Sequence, residues 1–204
     1  MDAISNIALA TGLSWASGLR LYATVFIVGL LAKYGYVPLP DSLSILKHPV
    51  VIGVSGVLLV VEFLADKFPL VDSVWDSIHT FIRIPAGALL AMGAINSSDP
   101  LTATLVALLG GTLAGATHLT KAGSRALINT SPEPVSNVTA SFGEEVTLLF
   151  GGWLALAHPA AFLVFIVLFI LVLIWLLPKL WKSVRNVFCG ARIIGRESNN
   201  KLLR

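Results

Sequence analysis

The residues able to do chemistry in this chain lie inside hydrophobic stretches. The densest run is Glu62-Phe-Leu-Ala-Asp66-Lys67-Phe-Pro69-Leu-Val-Asp72-Ser-Val-Trp75-Asp76-Ser-Ile-His79-Thr-Phe-Ile-Arg83. Asp72, Asp76, His79 and Arg83 follow one another at steps of four, three and four residues. On a helix they make one stripe. Two carboxylates, an imidazole and a guanidinium on one face can bind a cation, relay a proton or neutralise one another. Glu62 and Asp66 stand one turn apart before Pro69, which breaks the chain so that the two pairs can face each other. A charge at bilayer depth costs at least ~2.5–3.5 kcal/mol, so such groups pair, line water or bind something.

A second polar run contains His118, Lys121 and Arg125, then Glu133, then Ser141, Glu144 and Glu145. His118, Lys121 and Arg125 form a basic stripe by the same helical spacing. It is suited to pair with the acidic stripe or with Glu144 and Glu145. The acids Glu62, Asp66, Asp72, Asp76, Glu133, Glu144 and Glu145 outnumber the bases Lys67, Arg83, Lys121 and Arg125. Arg20 reduces that surplus if it points inward. An acidic surplus in a dry site calls for a proton or a cation. The expected ion-binding residues are therefore Glu62, Asp66, Asp72, Asp76, His79, Glu144 and Glu145. Glu62, Asp66, Asp72 and Asp76 are the expected metal set, with a divalent cation as the one cofactor they point to. Lys67, Arg83, His118, Lys121 and Arg125 are expected to balance charge or hold an anion.

These residues must be positioned by membrane helices. The 204-residue chain is 56% hydrophobic, only 12% charged, and has a mean hydropathy of +0.85. A soluble domain usually carries about twice that charged fraction. The expected fold is an all-α, polytopic transmembrane bundle with no cleaved signal peptide. Six hydrophobic segments can be drawn, near 4–34, 49–66, 70–96, 101–128, 139–157 and 160–177, joined by polar connections that re-entrant loops would also fit. The first is too long for one straight span and holds Ser17, Gly18 and Arg20 at its middle, so a bend or break is expected there. The sixth has no polar residue and is expected to face lipid. Glycines in segments two to five fit close helix packing. Each half has a glycine-bearing helix, a charged proline-bearing connection and a further helix, a pattern that an inverted three-helix repeat would produce.

Residues 1–178 read as the membrane domain and 179–204 as a basic tail. The net charge of +3 comes from that tail, so it is no signal for nucleic acid. The positive-inside rule puts it in the cytoplasm, which makes the chain multi-pass in the cell's inner (plasma) membrane. Leu180, Trp181, Val184, Val187 and Phe188 make the tail partly amphipathic, a pattern suited to anionic lipid. Membrane lipids and a small ion or molecule are the expected partners, and a chain this small is compatible with a homo-oligomer. The lone Cys189 excludes an intramolecular disulfide. There is no GxSxG, Walker, HExxH or CxxC motif.

The strings W-ASGLRLYATVFIVGLLAKYG, EFLADKFPLVDSVWDSIHTFIRIPAGALLA and THLTKAGSRALINTSPEPVSN resemble domain-of-unknown-function family 4126, small bacterial integral membrane proteins. The resemblance covers residues 10–155 and implies that the two polar strings are the family's signature. Glu62-Phe-Leu-Ala-Asp66-Lys67 is also similar to the Glu-x-Gly-Asp-Lys/Arg-Ser/Thr motif of calcium or manganese cation–proton exchangers. Here the acids are one residue further apart, Pro69 follows closely, and no second copy is present.

Three functions fit these residues. The first is a small transporter or channel for a cation, or one coupled to protons. The second is an intramembrane enzyme or carrier acting on a lipid or lipid-linked phosphate. There Arg83, Lys121 and Arg125 would clamp phosphate, and His79 or His118 with an acid would move a proton. The third is a non-catalytic scaffold held by ion pairs.

Overall fold

A computed structural model describes residues 2–129 and 134–202, and about 90% of it is helix. Among the described residues there is no strand. The helices are α1 (Ala3–Lys33), α2 (Pro49–Ala65), α3 (Pro69–Ile95), α4 (Pro100–Ile128), α5 (Pro134–Ala157) and α6 (Pro159–Leu202). A 3₁₀ segment, Asp41–Lys47, precedes α2 at a 63° bend. Every helix after the first opens on proline, whose fixed φ and missing N–H suit the first helical position. Helices α3, α4 and α6 are long and apolar enough to cross a bilayer; α1 is so only over its full length, which a break at Arg20 divides, and the bent pair of the 3₁₀ segment with α2 adds another. The chain thus reads as a multi-pass membrane protein.

The first helix is not one rod. Arg20 leaves the helical conformation (φ −148°, ψ 91°), and the chain reverses there. Leu9 and Leu31 would stand ~33 Å apart on a straight helix. Instead they line one cavity of about 400 Å³, which α5 lines with residues 148–157. Residues 3–19 and 21–33 are therefore two arms of a hairpin with Arg20 at its tip. The expected break is present, and it is a reversal. Corresponding positions in the second half of the chain hold the unbroken α4, so the two halves differ in build. Because α1 packs on every other helix, it is the centre of the bundle. Its most apolar stretch is 61% buried, against 17% for α6, which fits the lipid-facing role expected of segment six. The α6 helix also continues through Pro178, so that residue does not separate membrane helix from tail. Leu180 and Trp181 line a cavity against α3 and α4. Val184, Val187, Phe188 and Cys189 lie outside the described side chains, as does Glu133.

Small residues hold the first arm of α1 against α3 and α4. A Cβ at Gly18 would strike the Ala114 carbonyl oxygen, one at Gly87 would strike Ala114 Cβ, and one at Gly110 would strike Ala91 Cβ. Ser14 Oγ donates to the Gly87 carbonyl at 3.1 Å across the same junction. Beside it Trp15, fully buried, is ringed edge-on by Phe162, Phe165 and Phe169 of α6. Glycine packing is thus confirmed at these positions, whereas Gly53 and Gly152 face nothing within 4 Å.

Two outcomes follow from this packing. Gly18→Ala should destabilise the purified protein by ~1–3 kcal/mol, since backbone cannot yield as a side chain can, while Gly53→Ala should stay within ~0.5 kcal/mol. Thermal melting of both variants checks this. Separately, Asp99 caps α4, accepting from Thr102 Oγ1 at 2.6 Å and Thr102 N at 2.9 Å. These bonds, the side-chain one foremost, hold its carboxyl below the usual range. Its contribution should be present above pH ~3.9 and fade as pH falls below that. Protection of the amides of residues 101–103 relative to their intrinsic exchange rate should fall in acid for the wild type, and be reduced at all pH values in Asp99→Ala.

Candidate functional site

The site forms where five helices bring polar segments to one half of the bundle. These are the tip of α1, the end of α2, the start of α3, the end of α4 and the start of α5. Breaking α1 at Arg20 frees carbonyls that would otherwise bond within the helix. Cations take them: Lys121 Nζ donates to Leu19 O at 3.3 Å and Arg83 Nη1 to Gly18 O at 3.5 Å. The negative end of a helix dipole favours such partners. Thr24 Oγ1 covers the Arg20 carbonyl at 2.9 Å.

Arg83 is fully buried and holds three elements together. Its Nη2 is tightly paired with Glu62 of α2. Its Nη1 donates to Asp76 Oδ1 at 3.3 Å and to His118 Nδ1 at 2.8 Å. A guanidinium only donates, so Nδ1 of His118 is the acceptor and the ring is neutral with its proton on Nε2. Nε2 donates to Thr80 Oγ1 at 2.8 Å, with the Asp76 carbonyl at 3.1 Å.

Arg20, 1% exposed, is tightly paired through Nη2 with Asp66. The same nitrogen reaches Ser141 Oγ at 2.9 Å and lies 3.6 Å from both Glu144 and Glu145. Lys67 Nζ also donates to Ser141 Oγ at 2.9 Å and lies over the Phe63 ring at 3.9 Å. Lys121 sits among Glu144 (3.3 Å), Asp66 (3.8 Å) and Asp76 (3.9 Å). Arg125 grips Glu144 with a two-pronged contact, Nε to Oε1 at 2.8 Å and Nη2 to Oε2 at 3.2 Å. That geometry is the strongest form of such a pair.

The basic stripe on α4 thus meets both acidic groups, as its spacing predicts. The stripe on α3 divides. Asp76 and Arg83 enter the centre, while Asp72 Oδ2 accepts from Asn129 Nδ2 at 3.0 Å near the end of α4. His79 turns toward α1. Its Nδ1 donates to the Trp75 carbonyl at 2.7 Å, its Nε2 accepts from Tyr22 Oη at 3.0 Å, and its ring stacks on Trp75 at 4.1 Å.

The residues of the expected metal set do not converge on one point. Among the described residues no three His, Cys, Asp or Glu side chains converge as a metal would require. Glu62, Asp66 and Asp76 each face a cation instead. With Arg20 turned inward, five bases, Arg20, Lys67, Arg83, Lys121 and Arg125, stand among the described residues against six acids, Glu62, Asp66, Asp72, Asp76, Glu144 and Glu145, with Glu133 outside them. Arg20 thus reduces the acidic surplus. Glu62 and Asp66 also serve different arginines, unlike two ligands of one ion. Tyr22, Thr80, Asn129 and Ser141 join the network without a sequence signal of their own.

Several acceptors and donors remain unspent. Glu62 Oε2, Asp66 Oδ1, Asp72 Oδ1 and Asp76 Oδ2 are buried without a hydrogen-bond partner, as are Arg20 Nε and Nη1. Asp76 lines a cavity of about 400 Å³ between α3, α4 and α6, together with Ser73, Ser77 and Thr80. Arg20 lines a second, of about 340 Å³, between α1, α2 and α5. Leu9, Leu13, Leu21, Leu43, Leu46 and Leu90 belong to one apolar cluster, and four of them, Leu21, Leu43, Leu46 and Leu90, line a further cavity of about 510 Å³.

Fold and site define a class: a small, all-helical, multi-pass protein with a charge network buried around a reversed helix. Residues 7–179 match the family described as a domain of unknown function (DUF4126), and the chain belongs to it. No curated protein and no solved structure matches the chain.

Removing one partner from a buried pair leaves an uncompensated charge, which costs ~3–5 kcal/mol. Arg83→Met should therefore lower the melting midpoint by roughly 6–20 °C. Combining it with Glu62→Met should restore part of the loss, because the acid no longer lacks its partner. Additive losses in the double variant would show that the two side chains do not interact.

Proposed function

We propose that this protein is a small membrane transporter that moves protons, alone or coupled to a small ion. The observation that carries the reading is the buried row of alternating charges that ends at Asp76, a residue lining the cavity between α3, α4 and α6. From Asp76, whose Oδ2 is buried without a hydrogen-bond partner, the row runs through Lys121 to Asp66 and Arg20 at the turn of α1. A proton arriving at Asp76 would cancel its attraction to Lys121 and Arg83. Those cations would then draw closer to Glu62, Asp66 and Glu144. In a medium of low dielectric, moving one charge reorders its neighbours. Intramembrane ionisable residues commonly form such relays, and broken helices at a binding site are a recurrent transporter feature.

The α1 hairpin is the element this mechanism moves. Its tip is bound to the charges, and its two arms carry Leu9, Leu13 and Leu21 of an apolar cluster. Loosening the tip would let the arms part. Lys179 and Lys182 follow the α6 span, so the positive-inside rule turns the open half toward the cytoplasm of a cell's plasma membrane. The mechanism needs no inverted repeat.

The enzymatic alternative draws less support. Both nitrogens of His79 and both of His118 are already engaged, and neither imidazole is bonded to a carboxylate. The scaffold alternative is separated by experiment. Liposomes holding a pH-sensitive dye and purified protein should lose an imposed pH gradient faster than empty ones. Asp76→Asn, near-isosteric, should return the rate to that of empty liposomes while the protein still folds, its melting temperature falling less than in Arg83→Met because Arg83 keeps Glu62 and Lys121 keeps Glu144 and Asp66. A large loss of stability with proton movement intact would favour the scaffold.

A further inference from the structure

Beside α5 the two arms of the α1 hairpin leave an apolar cavity of about 400 Å³. Leu9, Leu13 and Ala16 of the first arm and Thr24, Val28 and Leu31 of the second line it. On α5 it extends from Leu148 to Ala157, ~13 Å along the helix, so it is long as well as apolar. Among its lining residues only Thr24 and Trp153 have polar atoms in their side chains, and Thr24 spends its hydroxyl on the Arg20 carbonyl at 2.9 Å. Water, which needs several polar partners, has no place there. Of the two glycines in the wall, Gly12 serves packing, since a Cβ there would stand 3.3 Å from Ala155 Cβ. A Cβ at Gly152 would meet nothing within 4 Å. Helix packing does not account for Gly152; its missing side chain leaves the cavity open.

The cavity runs toward the end of the bundle remote from the charges, because Leu9 and Leu31 belong to the open end of the hairpin. Leu149 and Trp153 in its wall are more than half exposed, so it opens sideways to the bilayer. Trp153 stands edge-on to His158, at 5.3 Å, in the turn to α6, and tryptophan is enriched at the membrane–water boundary. In a bilayer an empty cavity forfeits the van der Waals contacts of its lining, and acyl chains are the solvent at hand to restore them. A cavity of this volume admits one hydrocarbon chain, whereas a helix of a second copy is ~10–12 Å across.

We infer that this cavity is a binding site for one acyl chain of a bilayer phospholipid, drawn from the leaflet remote from the charge network. The chain enters beside Trp153 and lies along α5 with its methyl end toward Thr24. The headgroup stays at the membrane surface and needs no contact with the protein. Proton movement plays no part in this site, so either reading can fail alone.

The test reconstitutes the full-length protein in phosphatidylcholine liposomes that include phosphatidylcholine with a diazirine at the end of one acyl chain. After illumination, adducts are mapped by peptide mass spectrometry. The expected result is labelling of Ala16 and Thr24, both buried, besides Val167 and Leu171 on the exposed face of α6. A chain lying on the outer surface reaches only the latter pair. Gly152→Phe and, independently, Ala157→Phe should remove the adducts at Ala16 and Thr24 and keep those at Val167 and Leu171. Adducts confined to α6 in the wild type would overturn the inference, leaving the cavity dry or covered by a second copy. Adducts at Ala16 and Thr24 that persist in both variants would overturn it too, as would labelling of these two residues by a diazirine fatty acid but not by the phospholipid. Each variant is first shown to melt within a few degrees of wild type. Ala157 is exposed at the rim, so its variant keeps the test open if Gly152→Phe does not fold.

Discussion

A guanidinium buried inside a membrane must find an anion, and Arg20 finds Asp66. The rest of the bundle can be read from that pairing. A helix reversing within a bundle leaves backbone carbonyls that water cannot reach, and in lipid each must be satisfied by protein. Lys121 and Arg83 do this, which brings α4 and α3 to the tip of α1. Those cations must in turn be neutralised, and Glu62, Asp76 and Glu144 supply the charge from α2, α3 and α5. Each partner recruited to settle one buried group creates the need for the next. Five helices are therefore tied at one level by ion pairs rather than by apolar packing, which gives little drive for association in a solvent as apolar as the side chains themselves.

Close approach is the second requirement. Charges can meet at these distances only if the backbones carrying them come near; Gly18 permits that at the network itself, and Gly87 and Gly110 about one and two turns away. Polar and small residues thus divide the work along the bundle: glycines and serines set the spacing in one half, and ion pairs fix the rotation of each helix in the other. Pro85 inside α3 lies between the two regions, where it has no N–H to give to the preceding turn.

Much of this was legible in the residues themselves. Helix starts followed the prolines, because a fixed φ and a missing donor have a local meaning that needs no tertiary context. The α4 stripe of His118, Lys121 and Arg125 was readable for the same reason: helical spacing decides which side chains share a face. What could not be read was direction. Nothing in a stretch of apolar residues around Arg20 distinguishes a bend from a complete reversal, because that depends on which carbonyls find partners on other helices. The metal expectation turned on the same point. Counting acids against bases requires knowing which way Arg20 points, and its inward turn reduces the acidic surplus. His79 lay in the right stripe, yet its ring was taken by Tyr22 and Trp75, partners that spacing along a single helix does not reveal.

The brevity of α2 bears on the membrane itself. Its 17 residues rise only ~25 Å, against ~30 Å for a typical hydrocarbon core, and it presents Val50, Val54, Val57 and Val60 outward. Lengthening it would drive Glu62 and Asp66 past the level of Arg20, so the network fixes its reach. The surrounding acyl chains must adjust instead, by compressing beside α2 while the longer α6 asks for no such change on its own side. The protein would then sit in a bilayer of uneven thickness, thinnest along one flank, and its distribution among membranes would follow their depth as well as their chemistry.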